Sequence, residues 1–366
     1  MSQDDHLIAE TMETLANLDE FTNQLYQIYL TVKKEGIAQP ASLGLHRNDY
    51  LLHVQSDADA STARIQQVEF NTISASFGSL SVRTSELHRF LLSTLKGYGG
   101  NQIGIDQLPE NDAIQSFADG LAHAWKLYGN PSARIAMIIQ PGERNVFDQR
   151  WIEYTLQERH GISLMRLSLE DIYSRAKLSP DNKGLIIDGY EVAVTYFRAG
   201  YGPEDYPTEK AKRYVTKEAA QEMRACFAGL YPLDESKEGI AAYEMALEKP
   251  DELVMKPQRE GGGHNIYGQD ILEALKKLSP KERNAYILMD LIRSPPLNNL
   301  MIREGKVIEG EVVSELGVYG IYLNDGQDEI VNYAGGHLLR TKAITTREGG
   351  VAAGFAVIDS PLLVDK

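Results

Sequence analysis

Three observations predict an α/β chain with more than one core. Between residues 134 and 167, a short apolar run, a helical stretch ended by Gly161 and a second apolar run spell a strand–helix–strand unit, which favours parallel strands. From about residue 250 onward, short strands and glycine-rich turns replace the helical pattern. At 366 residues the chain is long enough for two or three domains, each with its own core.

The elements follow in order. Residues 5–35 read as one amphipathic helix: Leu7, Ile8, Met12, Leu15, Leu18, Phe21, Leu25, Ile28 and Val32 recur at three- or four-residue spacing, and Gly36 can end it. Strands are expected near 42–45 and 64–70. A helix capped at Asn111 or Asp112 then carries Ile114, Phe117, Leu121, Trp125 and Tyr128 on one face. Residues 134–140 form a buried strand, 147–160 a helix and 163–167 the partner strand. Asp188-Gly189 should turn a hairpin between 185–187 and 191–197. In the last third, 253–256, 286–290, 310–316, 318–323 and 351–358 are candidate strands around a helix at 270–278. Residues 203–217 are the most polar and least periodic stretch, so a domain boundary is expected there.

Composition narrows the function. A net charge of −15 leaves no basic excess for nucleic acid or an anionic membrane surface. The single cysteine, Cys226, excludes an internal disulfide framework and reads as a packed thiol beside Met223 and Phe227. The first residues lack the charged and apolar regions of a secretion signal, and no window approaches eighteen uninterrupted apolar residues. A cytoplasmic protein is the expectation.

The densest chemical signal runs from Lys256 to Gly268. An apolar run leads into Lys256, followed by Glu260, Gly261, Gly262, Gly263, His264, Asn265 and Tyr267. Successive glycines let backbone N–H groups close around an anion, the lysine suits phosphate, and the glutamate suits Mg²⁺. Alone, the same stretch also reads as a surface turn. Glu69 and Asn71 alternate onto one strand face as oxygen ligands, and Ser74, Ala75, Ser76, Phe77 and Gly78 follow as a turn with hydroxyls and free N–H groups for a carboxylate. The loop from Gly142 to Gln149 lies at the carboxyl end of a strand, the usual crevice of open α/β sheets, although helix capping by Asn145 explains part of it. Arg198 ends a strand before a glycine turn and offers a fork for a carboxylate or an ordinary salt bridge. Arg340 and Lys342 share a strand face, which favours a bound anion, and Glu315 in an apolar strand needs a partner. His264 and His337 have no ligand companions at metal-binding spacing and read as structural. Neither a P-loop nor a protein-kinase signature occurs.

In this order, the stretches resemble the eukaryotic-type glutathione synthetases of the ATP-grasp superfamily, from about residue 15 to the end. The carrying segments are Glu35-Gly-Ile-Ala-Gln39, Leu43-Gly-Leu-His-Arg-Asn-Asp-Tyr50, residues 69–78, 143–150 and 256–268, Phe227-Ala-Gly-Leu-Tyr231, residues 338–343 and 349–354. The resemblance implies a permuted ATP-grasp fold with a small parallel α/β substrate-binding domain inserted. Its parts would be residues 1–133, 134–207 and 208–366. It also implies a homodimer that joins γ-glutamylcysteine to glycine with ATP and Mg²⁺ through an acyl phosphate.

Carried over residue by residue, the family pattern puts Mg²⁺ on Glu69, Asn71 and Glu260. ATP would meet Glu69, Lys256, Glu260 to Asn265, Tyr267, Met289, Asp290, Glu315, Lys342 and Glu348, the last standing where the family usually has aspartate. The peptide substrate would meet Arg47, Ile73 to Ser76, Glu143, Arg144, Asn145, Gln149, Arg198, Ala199, Gly200, Tyr201, Arg340, Val351 and Ala352. Arg47, Lys256 and Arg340 would carry the catalytic charge stabilisation. Against that pattern the chain starts late and lacks a helical segment between Tyr206 and Lys212, where relatives carry a Gly-Thr-Lys-Lys stretch with a phosphate-binding lysine. Two alternatives follow: an impaired chain that only dimerises with a full-length partner, or a ligase for another small amine.

Overall fold

The computed structural model of the 366-residue chain describes residue 12 and residues 20–55, 60–95, 103–180, 184–206, 228–257, 264–346, 350–351 and 354–364. In chain order its strands are β1 (Ser42–His53), β2 (Arg64–Asn71), β3 (Arg134–Ile138), β4 (Leu164–Leu167), β5 (Ala176–Leu178), β6 (Leu185–Ile187), β7 (Tyr190–Phe197), β8 (Leu230–Pro232), β9 (Leu253–Pro257), β10 (Ile266–Tyr267), β11 (Tyr286–Asp290), β12 (Leu297–Arg303), β13 (Lys306–Asn324), β14 (Glu329–Ala343) and β15 (Val357–Asp359). The chain folds as two compact units: Met1–Ile37, Leu51–Val68 and Thr208–Pro296 form one, and Ala38–Tyr50, Glu69–Pro207 and Leu297–Lys366 the other.

Two of the three sheets draw most of their strands from the larger unit. In the first, strands run in the order β15-β14-β13-β1-β2, with β12 on the far part of β13. β13 is nineteen residues long, so its first part pairs with β12 and the rest with β14 along one edge and, from Leu316, with β1 along the other; it is one strand where two are expected from the sequence. The second sheet, β4-β3-β7-β6-β5, comes entirely from residues 164–197 and β3. β3 lies parallel to β4 and β7, as the strand–helix–strand pattern requires, and Asp188 and Gly189 turn the β6–β7 hairpin with positive φ at both residues.

The helix Ala113–Tyr128 packs between these sheets. Its Phe117 and Leu121 meet Leu45, Tyr319, Ile321 and Leu338 of one sheet and Ile135, Met137 and Tyr196 of the other in a single core. Gly120 permits that approach, because a Cβ there would lie 2.8 Å from Ile321 Cγ2. Neither expected cap forms: Asp112 makes no side-chain cap bond, and Asn111 instead bridges to β14, donating to His337 O at 2.8 Å and accepting from His337 N at 3.0 Å. Asn145 likewise heads the helix Val146–His160 without a side-chain cap.

The smaller unit carries the antiparallel sheet β10-β9-β11-β8. Met255 and Leu288 from its strands pack with Ala242 and Ala246 of the helix Lys237–Glu248 and with Ile271 and Leu275 of the helix Gln269–Lys277. Of the long N-terminal helix, Glu20–Glu35 and Met12 are described as helical, with Tyr26 and Tyr29 buried. The expected strand at 351–358 is confined to β15; before it, Gly354 N donates to Val351 O in a turn with Gly354 at φ +81°. Among the described residues, no helix is long and apolar enough to cross a membrane.

One half-buried group on β1 makes stability depend on pH. Burial against Phe70 lowers the His46 imidazole to about 4 from its ordinary 6.5. The folded state therefore resists a proton that the unfolded chain binds readily. Stability should rise with pH between about 4 and 6.5 and be fully present above that window, by at most about 3 kcal/mol. Urea unfolding at pH 5 and pH 7.5 checks this: His46→Gln should flatten the difference, and an unchanged slope refutes it.

Candidate functional site

Strand alternation sets the first cluster. On β1, Leu45, Arg47 and Asp49 fall on the buried face, and Asp49 has no exposed surface. The Arg47 guanidinium closes on Asp49 as a fork, Nε to Oδ1 at 2.6 Å and Nη2 to Oδ2 at 2.7 Å. Asp49 Oδ2 also accepts from Arg340 Nη2 at 2.9 Å and from Asn71 Nδ2 at 3.0 Å. Arg340 on β14 faces Glu315 on β13 across the ladder and is ion-paired with it. Asn71 donates further to Glu69 Oε1 at 3.2 Å, and Glu69 lies 3.8 Å from Arg47 Nη2. Two guanidinium groups and three carboxylates, five groups from four strands, thus meet.

The electrostatics follow from that packing. Burial alone would raise Asp49, but the Arg47 fork and Arg340 override it and hold the carboxyl below its ordinary value. Burial, opposed by Asp49 and reinforced by Arg47, pulls Arg340 below its ordinary value. Arg47 is only 4% exposed, so its fork belongs to Asp49. The Arg340 side chain is 13% exposed and is the guanidinium of this cluster that solute can reach.

A second cluster grips the loop between β2 and the helix Gly78–Thr94. Ser74 and Phe77 sit at φ 54° and 70°, a costly region for residues with side chains. Arg47 Nη1 and Tyr319 Oη both donate to Ser76 O, at 3.2 and 2.7 Å. Ser74 Oγ donates to Arg198 O at 2.8 Å, and Arg198 Nη2 donates to Ser76 Oγ at 3.1 Å. Arg198 Nη1 meets Asp148 Oδ2 at 3.0 Å, with both side chains fully buried. Asp148 also accepts from Phe77 N at 2.9 Å, Ser79 N at 2.8 Å and Leu80 N at 3.3 Å.

This corrects two expectations. The N–H groups of the Phe77–Leu80 turn are not free for a solute carboxylate, because Asp148 fills that place. The Arg198 fork likewise has no solvent face; it is spent on Asp148 and Ser76. Similarly, the backbone N–H groups of Gly200 and Tyr201 close on Asp205, at 2.7 and 3.2 Å. Glu143, which Gln149 contacts and Arg198 approaches at 3.8 Å, is raised by burial against the opposing pull of Arg198. Arg144, Asn145, Ile73, Ala75, Ala199 and Val351 belong to the same unit, Ala75 and Ala199 being buried.

In the smaller unit, Lys256 is half-buried on β9 opposite Ile287 of β11. Met289, Val254 and Ala228 form a buried apolar cluster against Tyr267 and Ile292. Asp290 accepts from Gly229 N at 3.0 Å and Tyr231 Oη at 3.1 Å, and Asn265 donates to Tyr267 Oη at 3.4 Å. His264 is exposed. Glu260, Gly261, Gly262, Gly263, Glu348 and Ala352 lie outside the described residues.

Hard oxygen donors suited to Mg²⁺ are present in part. Glu69 has a side chain 45% exposed, and Asn71 stands beside it. Among the described residues no group of three or more His, Cys, Asp or Glu side chains forms a cation site. Lys342, two residues beyond Arg340 on β14, stands in register with Val313. Sequence reasoning missed Asp49, Asp148, Tyr319 and Asp205. Only Asp49 left a usable signal, a second charged residue two positions after Arg47 on one strand face.

The chain matches one protein family along almost its whole length. A family model described as eukaryotic glutathione synthase, ATP binding domain, matches residues 1–363. Glutathione synthetase of Homo sapiens is 40% identical, covering 99% of this chain and 83% of that protein. The Xenopus laevis glutathione synthetase is 37% identical over 100% of the chain and 84% of its own length. A chloroplastic glutathione synthetase of Solanum lycopersicum is 39% identical, with 72% of its length covered. The alignment with the human protein is 404 positions long, more than the 366 residues here, so it contains positions with no counterpart in this chain. Among solved structures, a glutathione synthetase-like effector from Globodera pallida has the same fold, with a TM-score of 0.68 and 20% identity, covering 99% of this chain and 89% of that one.

Proposed function

The chain belongs to the eukaryotic glutathione synthase family, and from that premise we propose that it ligates γ-glutamylcysteine to glycine at the Arg47–Asp49–Arg340 cluster. The reaction of the family consumes ATP with Mg²⁺ and releases ADP. One observation carries the location: strands distant in sequence bring an accessible guanidinium, Arg340, together with the oxygen donors Glu69 and Asn71.

The chemistry asks three things of the residues. The carboxylate of the dipeptide attacks the γ-phosphoryl group of ATP, giving an acyl phosphate and ADP. The glycine amine then displaces phosphate through a tetrahedral state. Arg340 is suited to hold the anionic oxygens of both species, and Arg47 to fix Ser76 and the loop that would cradle the peptide. Glu69 and Asn71, with Glu260, would hold Mg²⁺, which supplies charge neutralisation at the phosphates. Lys256, the glycine turn through Asn265, Tyr267, Met289, Asp290, Glu315, Lys342 and Glu348 are assigned to ATP on the family pattern. The apolar cluster of Met289, Val254 and Ala228 supports a flat aromatic ring at that end. Glu143, Arg144, Asn145, Gln149, Ala199, Gly200, Tyr201, Val351 and Ala352 are assigned to the substrates on the family pattern, with the buried Arg198 acting through Ser76.

The same reading extends to a permuted ATP-grasp arrangement with an inserted substrate-binding segment at 134–207, to a homodimer and to the cytoplasm. The five-stranded sheet drawn from within 134–207 supports the inserted segment. A coupled ADP-release assay with purified chain, ATP, Mg²⁺, γ-glutamylcysteine and glycine tests the activity. Glutathione should form one-for-one with ADP, and absence of turnover while ATP still binds overturns the proposal. The unmatched positions in the alignment favour a second reading, an impaired chain that acts by pairing with a full-length partner; that outcome of the assay would support it. Competition of β-alanine and serine against glycine decides the amine.

A further inference from the structure

Asn71 is held in one orientation by its surroundings. Its amide nitrogen lies 3.0 Å from Asp49 Oδ2, 3.2 Å from Glu69 Oε1 and 3.4 Å from Arg47 O. All three are acceptors, so only the NH₂ end can face them, and Oδ1 is left turned outward as an acceptor. The reverse orientation would set an oxygen against two carboxylates and a carbonyl. Of the three acceptors, Asp49 is the shortest contact and the one with no exposed surface. The same Oδ2 receives Arg340 Nη2 at 2.9 Å and Arg47 Nη2 at 2.7 Å.

We infer that Asp49 is a positioning residue that orients Asn71 with its oxygen toward the cation and sets Arg340 in the same gesture. This rests on the proposed assignment of Glu69 and Asn71 to Mg²⁺. Asp49 touches neither substrate nor metal; it acts by fixing which atom its neighbours present. An asparagine at 49 would keep the volume. It would also let the Asn71 amide turn its NH₂ outward, where a cation repels it. Gly317 shows how tightly the group is seated. A Cβ there would fall 2.7 Å from Asp49 Oδ1 and 2.9 Å from Arg47 Cδ, so even a methyl group must move the carboxylate.

The test measures Mn²⁺ affinity by electron paramagnetic resonance, with ADP present, alongside kcat and the KM for each substrate. Wild type must bind Mn²⁺ and turn over; if it does neither, the assignment of the site falls rather than the role of Asp49. Asp49→Asn should weaken Mn²⁺ binding by about 10- to 100-fold, the range seen when outer groups of a metal site are removed. It should lower kcat as well, with an unchanged far-ultraviolet spectrum. The exchange Asp49→Asn with Asn71→Asp returns one carboxylate and one amide to the pair, and should regain part of the Mn²⁺ affinity. If Asp49→Asn does not fold, Gly317→Ala displaces the carboxylate without removing it and should show the same loss of affinity. Mn²⁺ binding within twofold of wild type in a folded Asp49→Asn protein overturns the inference; so does normal binding in Gly317→Ala where Asp49→Asn fails to fold.

Discussion

Replacing Arg340 by methionine should lower kcat/KM for glutathione formation by roughly 10²–10³-fold, the range for removing one preorganised donor from a developing oxyanion. The expectation comes from exposure and commitment taken together. Arg47 is enclosed by Asp49 and Ser76, whereas the Arg340 side chain is 13% exposed and binds both Asp49 and Glu315 through Nη2. Arg340→Lys should not recover the activity, because an ammonium cannot bridge two carboxylates in one plane while also facing a third anion. Loss of the guanidinium also leaves Asp49 and Glu315 facing each other with one cation fewer. Some loss of stability must therefore accompany the loss of rate. Steady-state kinetics at saturating ATP, with thermal unfolding of the same sample, separates the two. A variant that keeps its melting temperature and its kcat/KM would remove Arg340 from the mechanism.

How much of this was legible in the sequence depends on the physical origin of each feature. The parallel pair β3–β4, the β6–β7 hairpin and the helix Ala113–Tyr128 follow from local patterns, because apolar periodicity and the Asp188-Gly189 turn both act over a few residues. The helix Gly78–Thr94 does not: its buried face is Gly78, Ser79, Ser81, Val82 and Ser85, so burial there leaves almost no apolar stripe to read. β12 escaped for the opposite reason, since only Met301 of its seven residues is buried and its alternation has no core to answer to. The site divides in the same way. Glu69, Asn71, Glu315 and Arg340 stood out as polar groups in strands. Asp49 showed only its place two positions after Arg47 on one strand face, because its role arises from strand register. Arg47 lies opposite Tyr319 and Asp49 opposite Gly317 on β13, while Arg340 lies opposite Glu315 two residues further along. Nothing in a single sequence fixes those offsets. The Asp148 and Asp205 carboxylates were hidden differently: each occupies a set of backbone N–H groups that, read locally, looks like an empty anion site.

That substitution of a protein carboxylate for a ligand makes Asp148 the residue whose loss should destabilise the chain most. Asp148→Asn leaves the Arg198 guanidinium, its side chain 0% exposed, with only the more distant Glu143 carboxylate at 3.8 Å, and weakens the acceptor for Phe77, Ser79 and Leu80 N–H. Removing one partner of a buried pair costs about 3–5 kcal/mol, because the remaining charge stays in a medium that cannot solvate it. The positive φ at Phe77 then loses the bond that holds it, so the start of the helix Gly78–Thr94 should loosen first. Arg198→Met with Asp148→Asn should be less damaging than Asp148→Asn alone, since the double change removes the stranded cation with its partner. Urea unfolding of the two single variants and the double variant gives the coupling between the sites. Amide hydrogen exchange should show residues 77–82 losing protection in Asp148→Asn before the β13–β14 ladder does. Additive single effects, or exchange that spreads evenly through the unit, would mean that the pair carries no special weight and that the loop is held by its serines alone.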